Sequence, residues 1–253
     1  MKKLICSMLL IITGITAVNA GEFDLSAGAG GLLGGFFTRY TLAADGMVDG
    51  DRIKIDAIQK MNQLNYGFFA FFDATYGVFS VYYQNGVNNW EESFDIDGLD
   101  NSSASSGQGW DSYIGLSLMG KYPFKINERV AIFPMMGIDY QISLKQRRTQ
   151  PNGWVYDRDD GYREKDKDGN AYKLEDWNSL WINLGGGMDF MLVNNFFIRS
   201  ELLYSFRLMT PYEIKNLEMM KSMAGDPNPK LGGLTSGPSL RLSAGYRFFN
   251  KNL

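Results

Sequence analysis

Eight charged residues recur at alternate positions within otherwise apolar stretches: Lys121, Asp139, Asp189, Arg199, Glu201, Arg207, Arg241 and Arg247. In an extended chain alternate side chains share a face, so each charge stands opposite a run of aliphatic and aromatic residues. Two kinds of chemistry are open to such a set. Asp139 and Asp189 could act as paired carboxylates in acid–base work. More simply, they are partners for the arginines, and the set is an ion-pair network in a confined space. We expect the second: a packed ionic core, with a gated narrow passage as its functional alternative.

The rest of the composition narrows the chemistry further. The sequence has no histidine and one cysteine, Cys6. Imidazole bases, thiolate nucleophiles, disulfides and the usual zinc ligands are therefore not to be expected. The glycine-rich run Gly28-Ala29-Gly30-Gly31-Leu32-Leu33-Gly34-Gly35 is not a nucleotide loop. A dinucleotide fingerprint would need glycine at Leu33, and no Gly-Lys-Ser/Thr follows. Asp166-Lys167-Asp168-Gly169-Asn170 resembles part of a calcium loop but lacks the closing glutamate, and reads as a hairpin turn. No catalytic, cofactor or metal site is expected, and the chain reads as a non-enzyme.

The elements that would position the charges are strands. From Val130 to Leu144 the even positions are all apolar, while the odd ones turn polar at Asp139, Gln141 and Lys145. Eight strands are expected: 22–42, 64–72, 75–90, 110–122, 129–145, 180–192, 196–210 and 237–249. Their connections alternate. Asp73-Ala74, the segment 123–128 and Val193-Asn194-Asn195 are short; 43–63, 91–109, 146–179 and 211–236 are long. After Pro211 a short helix over 213–224 is expected. Pro134 cannot donate to a ladder, so a bulge or break is expected there.

The faces then need an orientation. Aromatic residues gather near the strand ends: Trp90, Trp110, Tyr113, Trp177 and Trp181 on the long-connection side, and Phe72, Tyr76, Tyr122, Phe124, Phe190, Phe196 and Phe248 on the short-turn side. Such girdles mark a membrane barrel, and glycines among the polar positions suit a narrow interior. With the apolar faces outward the eight charges point inward, with Asp189, Arg199, Glu201 and Arg247 low and Asp139, Arg207 and Arg241 higher. Were the faces reversed, the chain would be a soluble, lipocalin-like periplasmic ligand carrier.

Residues 1–20 carry Lys2 and Lys3, an apolar stretch Leu4 to Ile15, and Val18-Asn19-Ala20 before Gly21. This is the pattern of a cleaved signal peptide, leaving 21–253 as one barrel domain. Loss of the two lysines takes the formal charge from −3 to −5, which gives no sign of nucleic-acid binding.

The strand pattern, with the closing Gly245-Tyr246-Arg247-Phe248-Phe249, resembles the small bacterial outer-membrane barrels: the OmpA transmembrane domain, OmpX and OmpW. The resemblance implies an all-β, eight-stranded antiparallel up-and-down transmembrane barrel with four long extracellular loops and three short periplasmic turns. It also implies insertion by the barrel-assembly machinery, with Ser243, Gly245 and Phe248 as the assembly signal, and outer-membrane lipid as a partner. Barrels of that class that are enzymes rely on histidine, which is missing here. The expected role is surface interaction, adhesion or envelope structure, with an extracellular ligand bound through the loops. An OmpW-like conduit for small amphipathic molecules is the alternative.

Overall fold

The computed structural model describes residues 22–48, 51–97, 103–149, 155–157, 174–193, 195–208, 210–211, 214–215 and 230–252. The expected signal segment 1–20, the turn 166–170 and most of the expected helix 213–224 lie outside the described residues; Pro211, Ile214 and Lys215 are helical.

Eight long strands form the architecture: β1 (Glu22–Val48), β2 (Asp51–Ala74), β3 (Gly77–Asp97), β4 (Ser103–Lys121), β5 (Val130–Thr149), β6 (Ser179–Met191), β7 (Phe196–Arg207) and β8 (Lys230–Asn252). Every strand pairs antiparallel with its chain neighbour, and β8 returns to pair with β1. The ring is therefore closed and leaves no free edge at mid-height, which removes the aggregation hazard of unpaired strands. The chain is an eight-stranded antiparallel up-and-down barrel.

Two connections expected as long loops are mostly strand. β1 and β2 pair continuously to Val48 and Asp51, and β3 and β4 pair to Phe94 and Ser103. Segments 43–63 and 91–109 therefore form tall hairpins. Their apolar alternation is confined to short runs, Ile53, Ile55 and Ala57 in the first and Phe94 and Ile96 in the second, among many charges and amides, so it marks no full strand by itself. The third connection also begins as strand, since Val155–Asp157 pairs back onto Arg147–Thr149 of β5.

The three short connections close the other end. The first is Thr75-Tyr76, two residues beyond the expected Asp73-Ala74. Thr75 has a positive φ of 51°, unusual for a β-branched residue. Its hydroxyl accepts from the Asp24 N–H at 2.7 Å and donates to the Asp24 carbonyl at 3.0 Å, tying the turn to β1. In the third connection Asn195 has φ 69°, a conformation asparagine tolerates.

Two bulges set the phase of the side chains. Ser112 pairs with Lys145 and Tyr113 with Ser143, so Leu144 is an extra residue in β5. Leu144 and Lys145 both face outward and Gln146 turns in. This corrects the inward placement of Lys145, because a bulge inverts the alternation beyond it. In β8, Leu25 pairs with Phe249 and Ser26 with Arg247, leaving Phe248 extra, so that Phe248 and Phe249 are both exposed.

Pro134, where a bulge or break was expected, faces a break on one side: toward β4 the ladder lapses after Lys121↔Met135 and resumes at Phe124↔Ile132 in the same register. Toward β6 there is neither bulge nor break. Register runs unbroken from Phe133↔Gly187 through Pro134↔Gly186 to Met135↔Gly185. On its other side the Pro134 carbonyl accepts from Tyr122 N–H at 3.2 Å, within the two-residue lapse at Tyr122-Pro123. Nitrogen and carbonyl of one strand residue point the same way, so the missing donor falls on the side where the ladder lapses.

The barrel is apolar outside and polar inside. Phe68, Met136 and Leu202 are each 63% exposed, whereas Asn65, Asn183 and Arg199 are 1% exposed. The apolar exterior spans Leu64 to Phe72 on β2 and Phe79 to Val87 on β3, nine residues each, and is taller elsewhere: eleven residues from Leu180 to Phe190 on β6 and thirteen from Ile132 to Leu144 on β5. Above Gly35, which pairs with Leu64 at the top of this band, β1 continues for the thirteen residues 36–48, on the order of 45 Å along the strand.

Inside, large side chains lie against glycines. A Cβ on Gly115 would run into the Tyr82 ring directly across from it. Gly115→Val is expected to cost about 1–3 kcal/mol by overpacking, whereas Pro134→Ala should stay within about 0.5 kcal/mol of wild type. Urea unfolding of the two variants in lipid vesicles checks both.

Candidate functional site: the charged interior

The strand registers bring the interior charges together at two heights. Near the short-turn end, Asp189 of β6 lies directly across from Arg199 of β7. Arg199 Nε donates to Asp189 Oδ1 at 2.6 Å and Nη2 to Oδ2 at 2.8 Å, a two-point grip that a lysine could not make. Nη2 also donates to Asp73 Oδ2 at 2.5 Å, and Lys121 Nζ donates to the same oxygen at 2.5 Å. Glu201 lies 3.9 Å from Arg199 Nη1.

Asp73 is on β2 and Arg199 on β7, three steps apart around the ring, so their pair crosses the lumen. The Arg199 guanidinium also lies over the rings of Phe71 (4.8 Å), Phe133 (5.2 Å) and Phe197 (5.2 Å), and Lys121 over Phe133 (4.7 Å). Ring faces attract cations most strongly where water is excluded. Phe71, Phe133, Phe197, Met119 and Leu203 form the dry part of this core.

The second layer is built around Asp139. Arg241 Nη2 donates to Asp139 Oδ2 at 3.1 Å and the Tyr82 hydroxyl donates to the same oxygen at 3.3 Å. Arg241 is on β8 and Asp139 on β5, again three steps apart. Gln141 Nε2 donates to the Tyr82 oxygen at 3.0 Å, Ser179 Oγ to Gln141 Oε1 at 3.3 Å, and Trp181 Nε1 to Ser179 Oγ at 2.9 Å. Phe36 and Trp181 stack above, with centroids 4.5 Å apart. A cavity of about 20 Å³ beside Asp139, Asn65 and Arg241 is the space of one water.

Arg207 and Arg247 stand apart from both layers. Arg207 is half-buried higher up, where its Nη2 donates to the Tyr40 hydroxyl at 2.7 Å and its guanidinium lies 5.9 Å from the Trp181 ring. Arg247 sits at the lower lip, 3.4 Å from Asp24. The two layers thus gather Lys121, Asp139, Asp189, Arg199, Glu201 and Arg241.

The residue that sequence reasoning missed is Asp73, which joins Lys121 to Arg199. It is the last inward position of β2, in phase with Phe69 and Phe71, but its place beside the turn hides that phase. Tyr82 was equally hidden among aromatics of either face.

Among the expected girdle residues, Trp110, Tyr122 and Phe248 are exposed on the outer surface and Trp177 is half-buried in the turn 174–177. Trp90, Tyr113 and Trp181 are buried in the interior and do not belong to a girdle. Each falls on the inward phase of its strand; Trp90 packs against the bare backbone of Gly107. Of the closing residues Ser243 and Gly245 point inward.

No protein-family model and no curated protein matches the sequence. Solved structures similar to it include the attachment invasion locus protein Ail of Yersinia pestis, in complex with the heparin analogue sucrose octasulfate. It is 15% identical with a TM-score of 0.31, over 91% of this chain and 100% of that one. Neisserial surface protein A is 12% identical with a TM-score of 0.33, over 87% and 99%. The outer membrane protein OprG of Pseudomonas aeruginosa is 12% identical with a TM-score of 0.33, over 90% and 96%.

Arg199 is the group whose loss should cost most. Arg199→Met leaves Asp73, Asp189 and Glu201 facing one another with Lys121 as the nearest remaining cation. Unfolding in vesicles should show a loss of about 3–5 kcal/mol. Adding Asp189→Leu should recover part of that loss; no recovery would mean that the two residues are not coupled.

Proposed function

We propose that this chain spans a bacterial outer membrane as a closed barrel and acts at the cell surface through the strand extensions and connections above the apolar band. The observation that carries the reading is the inverted distribution of polarity. Charged and amide side chains fill the interior, while an apolar belt at least nine residues tall surrounds the outside. A tilted strand needs about 9–11 residues to cross a bilayer. A soluble carrier would expose that belt to water, far beyond the patches soluble proteins tolerate.

The interior supports an anchoring role over a conducting one. Two cross-lumen ion pairs and the Phe71–Phe133–Phe197 layer occupy the axis, as an eight-stranded barrel allows. What remains for interaction is outside the belt. The β1–β2 and β3–β4 hairpins rise well above it, with polar groups on both faces. We assign them, with the connections after β5 and β7, to binding at the cell surface. Ser243, Gly245 and Phe248 in the closing strand suit recognition by the barrel-assembly machinery.

Because Cys6 is the only cysteine, single reporters can be introduced cleanly. In a Cys6→Ser background, Asp95→Cys, high on β3, should react with a membrane-impermeant maleimide on intact cells. Glu128→Cys, in the short turn before β5, should react only after the outer membrane is broken. The protein should also migrate faster on a gel unheated than boiled. Equal labelling of both positions in intact cells would overturn the proposed orientation.

A further inference from the structure

The outer surface of β8, β1, β2, β3 and β4 changes character row by row as the strands leave the apolar belt. The top of the belt is Gly35, Leu64, Val87 and Trp110, side by side across four strands. Two residues higher comes a row of Ser236, Phe37, Asn62, Asn89 and Gln108. Two higher again stand Leu234, Arg39, Lys60, Glu91 and Ser106. Above them the row Lys230, Ala43, Asp56 and Asp95 is reached. Apolar side chains thus give way to amides, then to charges.

Arg39 and Lys60 are direct cross-strand neighbours on this exposed face. Like charges so placed repel and destabilise a sheet. Among the described residues neither has an ion-pair partner, and Lys60 makes no salt bridge to Glu91 across from it. The two cations line a groove of about 830 Å³ together with Phe37, Leu234, Asn62 and Glu91. The groove opens outward and its lower margin continues into the belt.

We infer that this groove binds the phosphate-bearing headgroup of an anionic glycolipid in the outer leaflet. The inference rests on the membrane-spanning reading above. A phosphate between Arg39 and Lys60 neutralises their repulsion, and the guanidinium offers it a two-point contact. Glu91 on the far side of Lys60 repels the anion and confines it toward β1. Phe37 and Leu234 contact the glycerol- or sugar-proximal carbons, and the acyl chains lie down over Gly35, Leu33 and Leu64. Depth favours a lipid over a soluble anion. The charged row lies four residues above the belt's top row, about 14 Å along a tilted strand and roughly 10 Å along the membrane normal, the level of lipid headgroups.

The test uses the full-length protein in phosphatidylcholine nanodiscs doped with phosphorylated lipid A or with its dephosphorylated form. Lipid retained on the protein after detergent release is counted by native mass spectrometry. Wild type should retain the phosphorylated lipid selectively. The Arg39→Gln/Lys60→Gln double variant should lose retention by roughly tenfold or more, and Lys54→Gln, whose lysine already pairs with Asp56 at 2.5 Å, should not. Unchanged retention by the double variant, or equal retention of the dephosphorylated lipid, overturns the site. So does inorganic phosphate binding that depends on Arg39 while phosphorylated lipid gains nothing. A wild type that fails to enter nanodiscs overturns both this site and the membrane reading; one that enters without retaining the lipid overturns this site alone.

Discussion

A guanidinium inside an eight-stranded barrel has no water to retreat to, and the structure is arranged around satisfying Arg199. Its partners come from opposite walls: Asp189 on the adjacent strand, Asp73 from across the lumen. Lys121 shares the Asp73 oxygen, so removing either acid affects both cations. Three phenylalanine rings complete the shell. Isolated, each charge would cost several kcal/mol to bury. Together they hold the strands at fixed heights, because a slip of one residue would turn every inward charge toward the outer surface. The Asp139–Arg241–Tyr82 layer repeats the same device one level higher.

Much of this was legible in strict alternation. The inward phase of Asp139, Asp189, Arg199, Glu201 and Arg241 follows from counting by twos within strands whose other face is apolar. Counting fails at three kinds of place. Beyond a bulge the phase inverts, which is why Lys145 faces out and Gln146 faces in. A bulge leaves no signature in local residue type. Aromatics carry no phase of their own, so Trp90 and Trp181 suit a lipid interface as well as a crowded lumen, and only their position relative to Asn88 and Asn183 separates the two. Above the belt apolar alternation is brief, so strand and loop look alike; segments 43–63 and 91–109 keep their ladders with only Ile53, Ile55 and Ala57, and Phe94 and Ile96, in alternation. Pro134 behaves as its chemistry requires. The ladder toward β4 lapses beside it, yet the strand keeps its register on both sides of that lapse and toward β6.

Outside, the same geometry has a different consequence. The belt is nine residues tall on β2 and β3, but β1 to β4 do not stop at its edge. They carry a graded surface from the apolar rows through amides to a row that places Arg39 beside Lys60. The lower barrel supplies rigidity, and the taller strands supply reach. The interior and exterior assignments depend on each other: reversing one reverses the other.

The central claim is that the ionic layers close the lumen of a membrane-embedded barrel. Single-channel recording of the purified wild-type protein in a planar bilayer tests it most directly. The account predicts a flat current trace across the applied voltage range, with insertion verified independently by heat-modifiable migration of protein recovered from the same lipid. Discrete, reproducible opening steps from the wild type would contradict it, because ions would then be passing the level of Arg199.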